Sequence, residues 1–447
     1  MRSRPVISLP DKNDMPDQNR IFDETKMPEK YNDRFMIYDA LFSYFRGERV
    51  PSSSLINLSL SRLLSTRYVI GRLSSVPVKK IKKPVLAALT GAISEILFSV
   101  DPDTYALCDS ATAYVKKRGL SGLSGFVNAI VRRAAREKDD LLKEIETKSD
   151  SEIRFSLPKL IAGSLSNDYG SKKAGLIAEA FFKRRFTHLF IPGLLEPVEK
   201  TIESLSKKGF VLKKDDSKLE GYYLERSTEG NSLVASDEFQ RGLIYLMDRS
   251  SMAPAEAFLS IKESLLEKPD ILDLCAAPGG KSLTIAAITH DSGNFLSCDI
   301  SEEKVSLIRE NIERLKIRSI KPRVNDASVF NPEFKDRFDA VICDVPCSGF
   351  GVLGRKPAIR YRHDEDSLQS LLSLQKKIVE NAASYVKYGG FIIYSTCTLR
   401  KAENEDMVEY LLKTAPDIHE ISNKTFFPDE GDFDGFFVSL LKKGEKL

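Results

Sequence analysis

The sequence predicts an α/β protein in which an all-α region precedes a doubly wound, mainly parallel β-sheet. In the C-terminal part, short apolar runs of strand length alternate with amphipathic helical segments, which is the pattern of a parallel sheet covered by helices. In the N-terminal part, from about residue 31 to residue 146, apolar residues recur at helical spacing. The length of 447 residues exceeds the usual size of one domain, so two or three domains are expected.

Composition excludes several classes of protein. Hydrophobic residues make up 42% of the chain and charged residues 29%, as in ordinary soluble domains. Six cysteines without a Cys-x-x-Cys pair do not form a disulfide framework, and four scattered histidines argue against a zinc site. The longest apolar helical stretch, residues 84–100, contains Glu95 and is too short to span a bilayer. We therefore expect a cytoplasmic monomer that holds no metal and contacts no membrane.

The N-terminal part is expected to form a flexible tail, residues 1–28, followed by a helical domain, residues 29–150. The first 25 residues are polar and lack the apolar core of a signal peptide. The net charge is only +3, but the stretch from Arg49 to Ser94 contains no acidic residue and eight basic ones. This stretch is either a positive face or an ordinary solvated surface. The charged residues 136–151 are expected to form a linker.

Two basic clusters are candidate nucleic-acid contacts. Arg132 and Arg133 stand beside the apolar stripe of residues 123–131. This segment resembles a helix of the RNA-binding NusB-like domains, which implies that the two arginines contact RNA, whereas the alternative is the wet edge of an ordinary amphipathic helix. Lys183, Arg184 and Arg185 are flanked by phenylalanines, a combination suited to phosphate contacts with base stacking. The same three cations also suit a helix C-terminus.

Residues 151–244 are expected to comprise linker helices and a small α+β subdomain ahead of the catalytic sheet. Short apolar runs alternate with glycines between residues 190 and 245. The catalytic domain is expected at residues 245–447. Its predicted strands are residues 271–274, 294–298, 322–325, 338–343 and 390–395, with residues 435–440 as a terminal strand.

The residues that could bind a ligand or react lie at the ends of three predicted strands. The first strand opens into Cys275, Ala276, Ala277, Pro278, Gly279, Gly280 and Lys281. Cys347 follows Asp344-Val345-Pro346, and Cys397 follows Ser395-Thr396. Because the carboxyl ends of parallel strands meet at one edge, where ligands bind, the loop, the carboxylate and the two thiols are predicted to converge.

The loop fits a nucleoside cofactor that is not a dinucleotide. It lacks the Gly-x-Gly-x-x-Gly spacing, and Cys275 replaces the first glycine of a P-loop. Gly279 and Gly280 permit close approach of the backbone to a ligand. Asp299 and Asp326 end the next two strands, where they can bind the ribose hydroxyls and the adenine amine. Each acid alone could be a turn residue, but together with Asp344 and the loop they favour S-adenosylmethionine.

These motifs resemble the bacterial ribosomal-RNA cytosine-5 methyltransferases that carry a NusB-like domain ahead of the catalytic domain, the RsmB/Sun group. The resemblance extends over roughly residues 31–441 and is weakest in the middle. It implies a Rossmann-like S-adenosylmethionine-dependent methyltransferase domain, with an antiparallel last strand, preceded by an all-α NusB-like RNA-binding domain. The implied activity is methylation of carbon 5 of a cytidine in 16S ribosomal RNA, either free or in a small-subunit precursor.

The resemblance also implies a role for each reactive group. Methylation of cytosine at carbon 5 needs a thiolate that attacks carbon 6. By resemblance Cys397 is this nucleophile, Cys347 helps to release the product, and Asp344 orients the base. Lys281 is expected to add positive potential beside the thiolate. The alternative, that these thiols are small buried hydrophobes, is accepted only for Cys108, Cys298 and Cys343.

Residues 351–362 are rich in basic residues and are expected to line the RNA path, with Arg355 and Arg360 as contacts. Ala358 and Tyr361 depart from the family pattern, in which an acid and a tryptophan are common at these positions. The alternatives to a 16S enzyme are a transfer-RNA cytosine-5 methyltransferase and, in another class, a non-catalytic RNA-binding assembly or antitermination factor.

Overall fold

The computed structural model describes residues 32–51, 53–183, 185–228 and 230–444. The tail predicted at residues 1–28 and the predicted RNA contact Arg184 lie outside these residues. The chain divides into two compact units. The first consists of Met1–Gly163 with Arg355–Arg362, and the second of Ser164–Gly354 with His363–Leu447.

The first unit is helical, as predicted. Its α-helices are α1 (Asn32–Phe45), α2 (Ser54–Ser61), α3 (Leu63–Leu73), α4 (Lys83–Phe98), α5 (Thr104–Lys117), α6 (Ser124–Arg136), α7 (Lys138–Thr147) and α8 (Ser151–Arg154). Short 3-10 helices cover Val78–Lys80, Ser121–Leu123 and Pro357–Tyr361. Helix α4 begins with Pro84 in its first turn and is buried along nearly its whole circumference, so it forms the centre of the unit.

The charged segment predicted as a linker contains helix α7 instead. Leu141 and Ile145 are 2% and 3% exposed and join the core around α4. They are four residues apart, so they share one helix face while the charged residues occupy the other. Apolar side chains at helical spacing therefore anchor a segment whose composition is that of a linker.

Helix α9 (Lys159–Ala180, interrupted by the non-helical Gly170) begins in the first unit and ends in the second, where an α+β segment follows it. The segment contains an antiparallel sheet with the order β2-β3-β1-β4. Its elements are β1 (Thr187–Phe190), α10 (Val198–Lys207), β2 (Phe210–Lys214), β3 (Gly221–Ser227), α11 (Asp237–Gln240) and β4 (Tyr245–Leu246).

The larger sheet of this unit has seven strands in the order β10-β11-β9-β8-β5-β6-β7. The strands are β5 (Asp270–Asp273), β6 (Asn294–Asp299), β7 (Ile320–Val324), β8 (Phe338–Asp344), β9 (Val386–Thr396), β10 (Ile418–Phe426) and β11 (Phe436–Lys443). The helices are α12 (Ala253–Ile261), α13 (Gly280–Ile288), α14 (Glu302–Leu315), α15 (Glu365–Tyr385) and α16 (Glu405–Thr414). Further 3-10 helices cover Ser250–Met252, Lys262–Ser264, Pro332–Phe334 and Lys401–Glu403.

Strands β5 to β9 are parallel, whereas β11 is antiparallel to β9 and β10 is antiparallel to β11. This arrangement confirms the predicted doubly wound sheet and its antiparallel last strand. Alternate residues of β8 enter different cores: Ala340 and Ile342 join one, and Val341 and Cys343 join the other. Both faces of the sheet are therefore buried, as expected for parallel strands.

The topology fixes the place of the functional residues. The chain proceeds from β5 outward through β6 to β7, and then returns to β8 on the opposite side of β5. The order of the strands thus reverses between β5 and β8, and ligands of open α/β sheets bind at the carboxyl ends beside such a reversal. Within the residues that the structure describes, no helix is long and apolar enough to cross a membrane.

Candidate active site

The loop after β5 is held against the end of β6. Ala276 donates its backbone N–H to the carbonyl of Cys298 at 2.8 Å, and Ala277 donates to Oδ2 of Asp299 at 2.9 Å. Gly279 has a φ of +107°, a conformation that favours glycine, and α13 begins at the next residue. A Cβ atom on Gly280 would lie 3.3 Å from the ring of Tyr245, so the loop packs closely here.

Asp299 and Asp326 lie at the ends of neighbouring strands, as predicted. Asp299 is 4% exposed, and its carboxylate accepts the N–H groups of Ala277 and Ile300 and contacts Lys304 Nζ at 3.1 Å. A carboxylate accepts about four hydrogen bonds, so one position remains for a ligand, and a second ribose hydroxyl would have to displace Lys304. Asp326 is exposed and accepts from the backbone and hydroxyl of Ser328.

These residues fit the adenosyl part of S-adenosylmethionine. Ile300 directly follows Asp299 and is 58% exposed, so an apolar surface adjoins the carboxylate that suits the ribose. An apolar surface beside well-placed polar groups is typical of small-molecule sites. Gly279 and Gly280 carry no side chains, which permits a ligand to approach the backbone of the loop closely.

The two candidate catalytic thiols are in direct contact. The Sγ atoms of Cys347 and Cys397 lie 3.3 Å apart, and all six cysteines are free thiols. The contact with Cys397, together with burial, raises the pKa of Cys347 well above its usual value. Cys347 is therefore a neutral thiol at physiological pH, able to donate a hydrogen bond to the other sulfur.

Asp344 ends β8 and is held from two sides. Ser395 Oγ donates to its Oδ1 at 2.8 Å, and Lys281 Nζ forms an ion pair with its Oδ2. Burial is the largest single effect and lowers the pKa of Lys281, but the attraction and hydrogen bond of Asp344 and weaker attractions nearby together outweigh it, so the pKa is raised and the ammonium stays charged. The charge of Lys281 would also favour a thiolate at Cys397.

Several polar residues at the site had no role assigned from the sequence. Ser395 belongs to the second cysteine motif, but nothing in the motif indicates that its hydroxyl contacts Asp344. Glu403 and Asn404 are both 0% exposed, and their side chains contact the two cysteine loops. Their sequence, read alone, indicates only the start of α16. What distinguishes Glu403 and Asn404 is that both are polar and yet lie in the interior of the fold, which only the structure shows.

The structure does not bring the predicted RNA contacts of the first unit together on one exposed surface. Arg132 is exposed, whereas Arg133 is partly buried and donates to Glu137 at 2.7 Å. Arg355 is partly buried. Arg360 is 2% exposed and donates Nη1 to the carbonyls of Phe155 and Ser156 at 3.0 and 3.2 Å. The guanidinium of Arg360 therefore holds two segments of this unit together in its interior.

In the second unit, Lys183 is exposed, but the side chain of Arg185 is only 9% exposed. Arg185 donates to the carbonyls of Ala180, Pro428 and Gly431, with 2.8 Å to Pro428. It thus fixes the segment before β11. Among the described residues, no group of three or more histidine, cysteine or acidic side chains is arranged to hold a metal ion.

Comparisons with known proteins find relatives of both parts of the chain. Residues 261–442 match the family model described as 16S rRNA methyltransferase RsmB/F, and residues 47–136 match the NusB family. The chain is 27% identical over 420 residues to the probable ribosomal RNA small subunit methyltransferase B of Bacillus subtilis, covering 88% of this chain and 90% of that protein.

Two further proteins are similar to parts or all of the chain. Ribosomal RNA small subunit methyltransferase F of Escherichia fergusonii is 32% identical over 246 residues, and this match spans about half (51%) of each protein. The crystal structure of PH0851 has the same fold, with a TM-score of 0.74 and 21% identity over 94% of this chain and 100% of that chain.

Proposed function

Because the chain belongs to the RsmB/F family of 16S rRNA methyltransferases and carries a NusB-family domain, we propose that it methylates carbon 5 of a cytidine in 16S rRNA. The methyl donor is S-adenosylmethionine. The observation that carries the proposal is the 3.3 Å contact between Cys347 and Cys397 beside the Lys281–Asp344 ion pair. Two thiols in contact at the carboxyl edge of the sheet are suited to a reaction that forms and then breaks a carbon–sulfur bond.

The cofactor loop, Asp299 and Asp326 are proposed to bind the cofactor, and Asp344 is proposed to bind the cytosine. The loop from Cys275 to Lys281 and the carboxylates of Asp299 and Asp326 would hold the adenosyl part. When bound, S-adenosylmethionine supplies a methyl group on a positively charged sulfur. Asp344 is fixed by Ser395 and Lys281, and would accept a hydrogen bond from the polar edge of the cytosine and orient the ring.

Cys397 is the proposed nucleophile. Its thiolate would add to carbon 6 of the cytosine, and the electron pair that becomes available at carbon 5 would take up the methyl group, whose bond to the sulfur of the donor breaks. The carbon 5 proton then passes to water, the electron pair of the broken C–H bond restores the carbon 5–carbon 6 double bond, and the carbon 6–sulfur bond breaks to free Cys397 as a thiolate. The charged Lys281 supports this assignment, since an ammonium group favours a nearby thiolate.

Cys347 is proposed to assist the second half of the reaction. Its raised pKa, which results from the contact with Cys397 and from burial, keeps it protonated. A neutral thiol in contact with the leaving sulfur can donate a hydrogen bond to it as the carbon–sulfur bond breaks, whereas a second thiolate would repel the first.

We further propose that the NusB-like domain supplies affinity for the RNA, because the target base must be unstacked to reach the thiols. The domain boundaries proposed are residues 29–150 for this domain, 151–244 for the intervening segment and 245–447 for the catalytic domain.

The experiment is methyl transfer from labelled S-adenosylmethionine to RNA from cells in which the gene is deleted, followed by bisulfite sequencing. One protected cytidine in 16S rRNA is the expected result. Protection only in transfer RNA would replace the proposal by the transfer-RNA enzyme. Cofactor binding without transfer to free RNA or to small-subunit particles would identify a non-catalytic RNA-binding protein.

A further inference from the structure

The 3-10 turn Lys401–Glu403 and the residue after it, Asn404, contact both cysteine loops. Glu403 and Asn404 are each 0% exposed, although one is an acid and the other an amide. Burying such groups costs free energy unless their hydrogen bonds are made, so the partners of these two side chains are informative.

Glu403 holds the loop of Cys347 from both sides. Its Oε2 accepts the backbone N–H of Ser348 at 2.8 Å and Nε2 of Gln375 at 3.0 Å. The same Nε2 donates to the carbonyl of Pro346 at 2.9 Å. The peptide groups immediately before and after Cys347 are therefore tied to one carboxylate, directly or through a single amide. Arg400 completes the set by donating Nη1 to Oε1 of Glu403 at 2.9 Å.

Asn404 holds the loop of Cys397 in the same manner. Its Oδ1 accepts the hydroxyl of Thr396 at 2.6 Å, and its Nδ2 donates to the carbonyl of Thr398 at 3.1 Å. The residues before and after Cys397 are thus tied to one amide. A hydrogen bond of 2.8 Å between the hydroxyls of Ser348 and Thr398 joins the two loops directly.

We infer that Glu403 and Asn404 are positioning residues, that Glu403 sets the place of Cys347 and Asn404 that of Cys397, and that each governs a different step of the reaction. The inference rests on the proposed function, in which Cys397 forms the adduct and Cys347 helps to release it. Because the two residues are consecutive, one turn fixes both sulfur atoms relative to each other. Misplacing a reacting group by about 1 Å costs roughly a hundredfold in rate, so small shifts of either loop are measurable.

The two variants that test the inference keep the shape of each side chain. Glu403→Gln removes the charge and one acceptor oxygen, and Asn404→Asp removes the donor to Thr398. Single-turnover kinetics with 16S rRNA substrate measure separately the formation and the decay of the protein–RNA adduct. Glu403→Gln should slow decay about tenfold and leave formation within about twofold, and Asn404→Asp should do the reverse.

Matched controls are available on exposed sites of the same domain. Glu409→Gln alters an acid of α16 whose side chain is 63% exposed, and Asn423→Asp alters an exposed amide of β10. Both should behave as wild type. Thermal unfolding and S-adenosylmethionine binding report whether each variant is folded.

If either variant does not fold, a second variant can replace it, at a residue that hydrogen-bonds to Glu403 or to Asn404. Gln375→Met removes the amide that joins Glu403 to Pro346, and Thr396→Val removes the hydroxyl that donates to Asn404. Each should slow the same step as the variant that it replaces. If wild-type protein neither methylates RNA nor forms an adduct, the proposed function is wrong. If wild-type protein is active but the Glu403 and Asn404 variants, or the variants that replace them, slow the same step or neither step, the inference is wrong.

Discussion

The sulfur atoms of Cys347 and Cys397 are 3.3 Å apart, although 50 residues separate them in the chain. They meet because β8 and β9 are adjacent parallel strands whose register pairs Asp344 with Ser395. Each cysteine follows its paired residue within three positions and emerges at the same edge of the sheet. The predictions below depend on this contact and on the charged and buried groups around it.

Replacing Cys397 by alanine should abolish methyl transfer, because no other group replaces the thiolate that adds to carbon 6. The affinity for S-adenosylmethionine should not change, since the proposed cofactor contacts lie at the ends of β5, β6 and β7. Transfer of a labelled methyl group and calorimetric binding of the cofactor measure the two properties. Cys108→Ala, at a buried thiol of the helical unit, is the control.

Replacing Lys281 by methionine should reduce the rate of methyl transfer most strongly at low pH. The substitution removes the cation that attracts the Cys397 thiolate and leaves Asp344 without its ion-pair partner. Less thiolate then forms at a given pH, so the rising limb of the pH–rate profile should move to higher pH. Lys413→Met, at an exposed lysine paired with Glu409, should leave the profile in place. An unchanged profile for Lys281→Met would exclude the proposed role of this ammonium group.

Replacing Asp273 by asparagine should stabilise the protein above neutral pH. Burial is the main cause that raises the pKa of Asp273 from 3.8 to about 7, and the side chain is 1% exposed. The folded state therefore holds a proton that the unfolded state releases, and stability falls as the pH rises from about 4 to about 7. The full cost, reached above pH 7, is roughly 4 kcal/mol.

Urea unfolding of wild type and Asp273→Asn between pH 4 and pH 8 measures this effect. The difference in unfolding free energy should grow with pH up to about 7 and then stay constant. The hydroxyl of Ser282, which donates to Asp273 at 2.7 Å, can donate equally to the amide oxygen. Asp139→Asn, at an exposed position of α7, should show no such dependence. A difference that shrinks as the pH rises would contradict the assignment.

Replacing Gly351 by alanine should impair both folding and catalysis. A Cβ atom there would lie 2.0 Å from the carbonyl oxygen of Gly435 and 2.9 Å from that of Cys397. Relief of these contacts must move the Cys397 turn, and the expected loss of methyl transfer is about a hundredfold. Gly175→Ala is the matched control, since no atom lies within 4 Å of its added Cβ. It should leave activity unchanged and raise the melting temperature slightly, because alanine favours a helix.

The sequence predicted the central strands well because their residues are buried on both faces and read as continuous apolar runs. Strand β8, predicted at residues 338–343, is Phe338–Asp344. Strand β10 escaped prediction, since it lies at the sheet edge and only its ends, Ile418 and Phe426, are buried. Its polar residues carry little alternation to detect. Helix α7 was also not predicted, because the charged composition of its segment is typical of a linker.

The candidate site was predictable where a motif lies within a few residues, as at Cys275–Lys281, Cys347 and Cys397. It was not predictable where the role depends on contacts between distant segments. Gln375 is 29 residues from Pro346 and 28 from Glu403, yet its amide bonds to both. Arg360 shows the converse. Its basic side chain suggested an RNA contact, but the fold places it in the interior of the helical unit.

The central claim is that Cys397 forms the bond to the RNA and Cys347 does not. The most direct test is to incubate the Cys347→Ala variant with 16S rRNA and S-adenosylmethionine, digest the trapped complex and locate the modified residue by mass spectrometry. The account predicts that the adduct accumulates and that the nucleotide is attached to Cys397. Loss of the adduct in Cys347→Ala, together with its persistence in Cys397→Ala, would reverse the two roles.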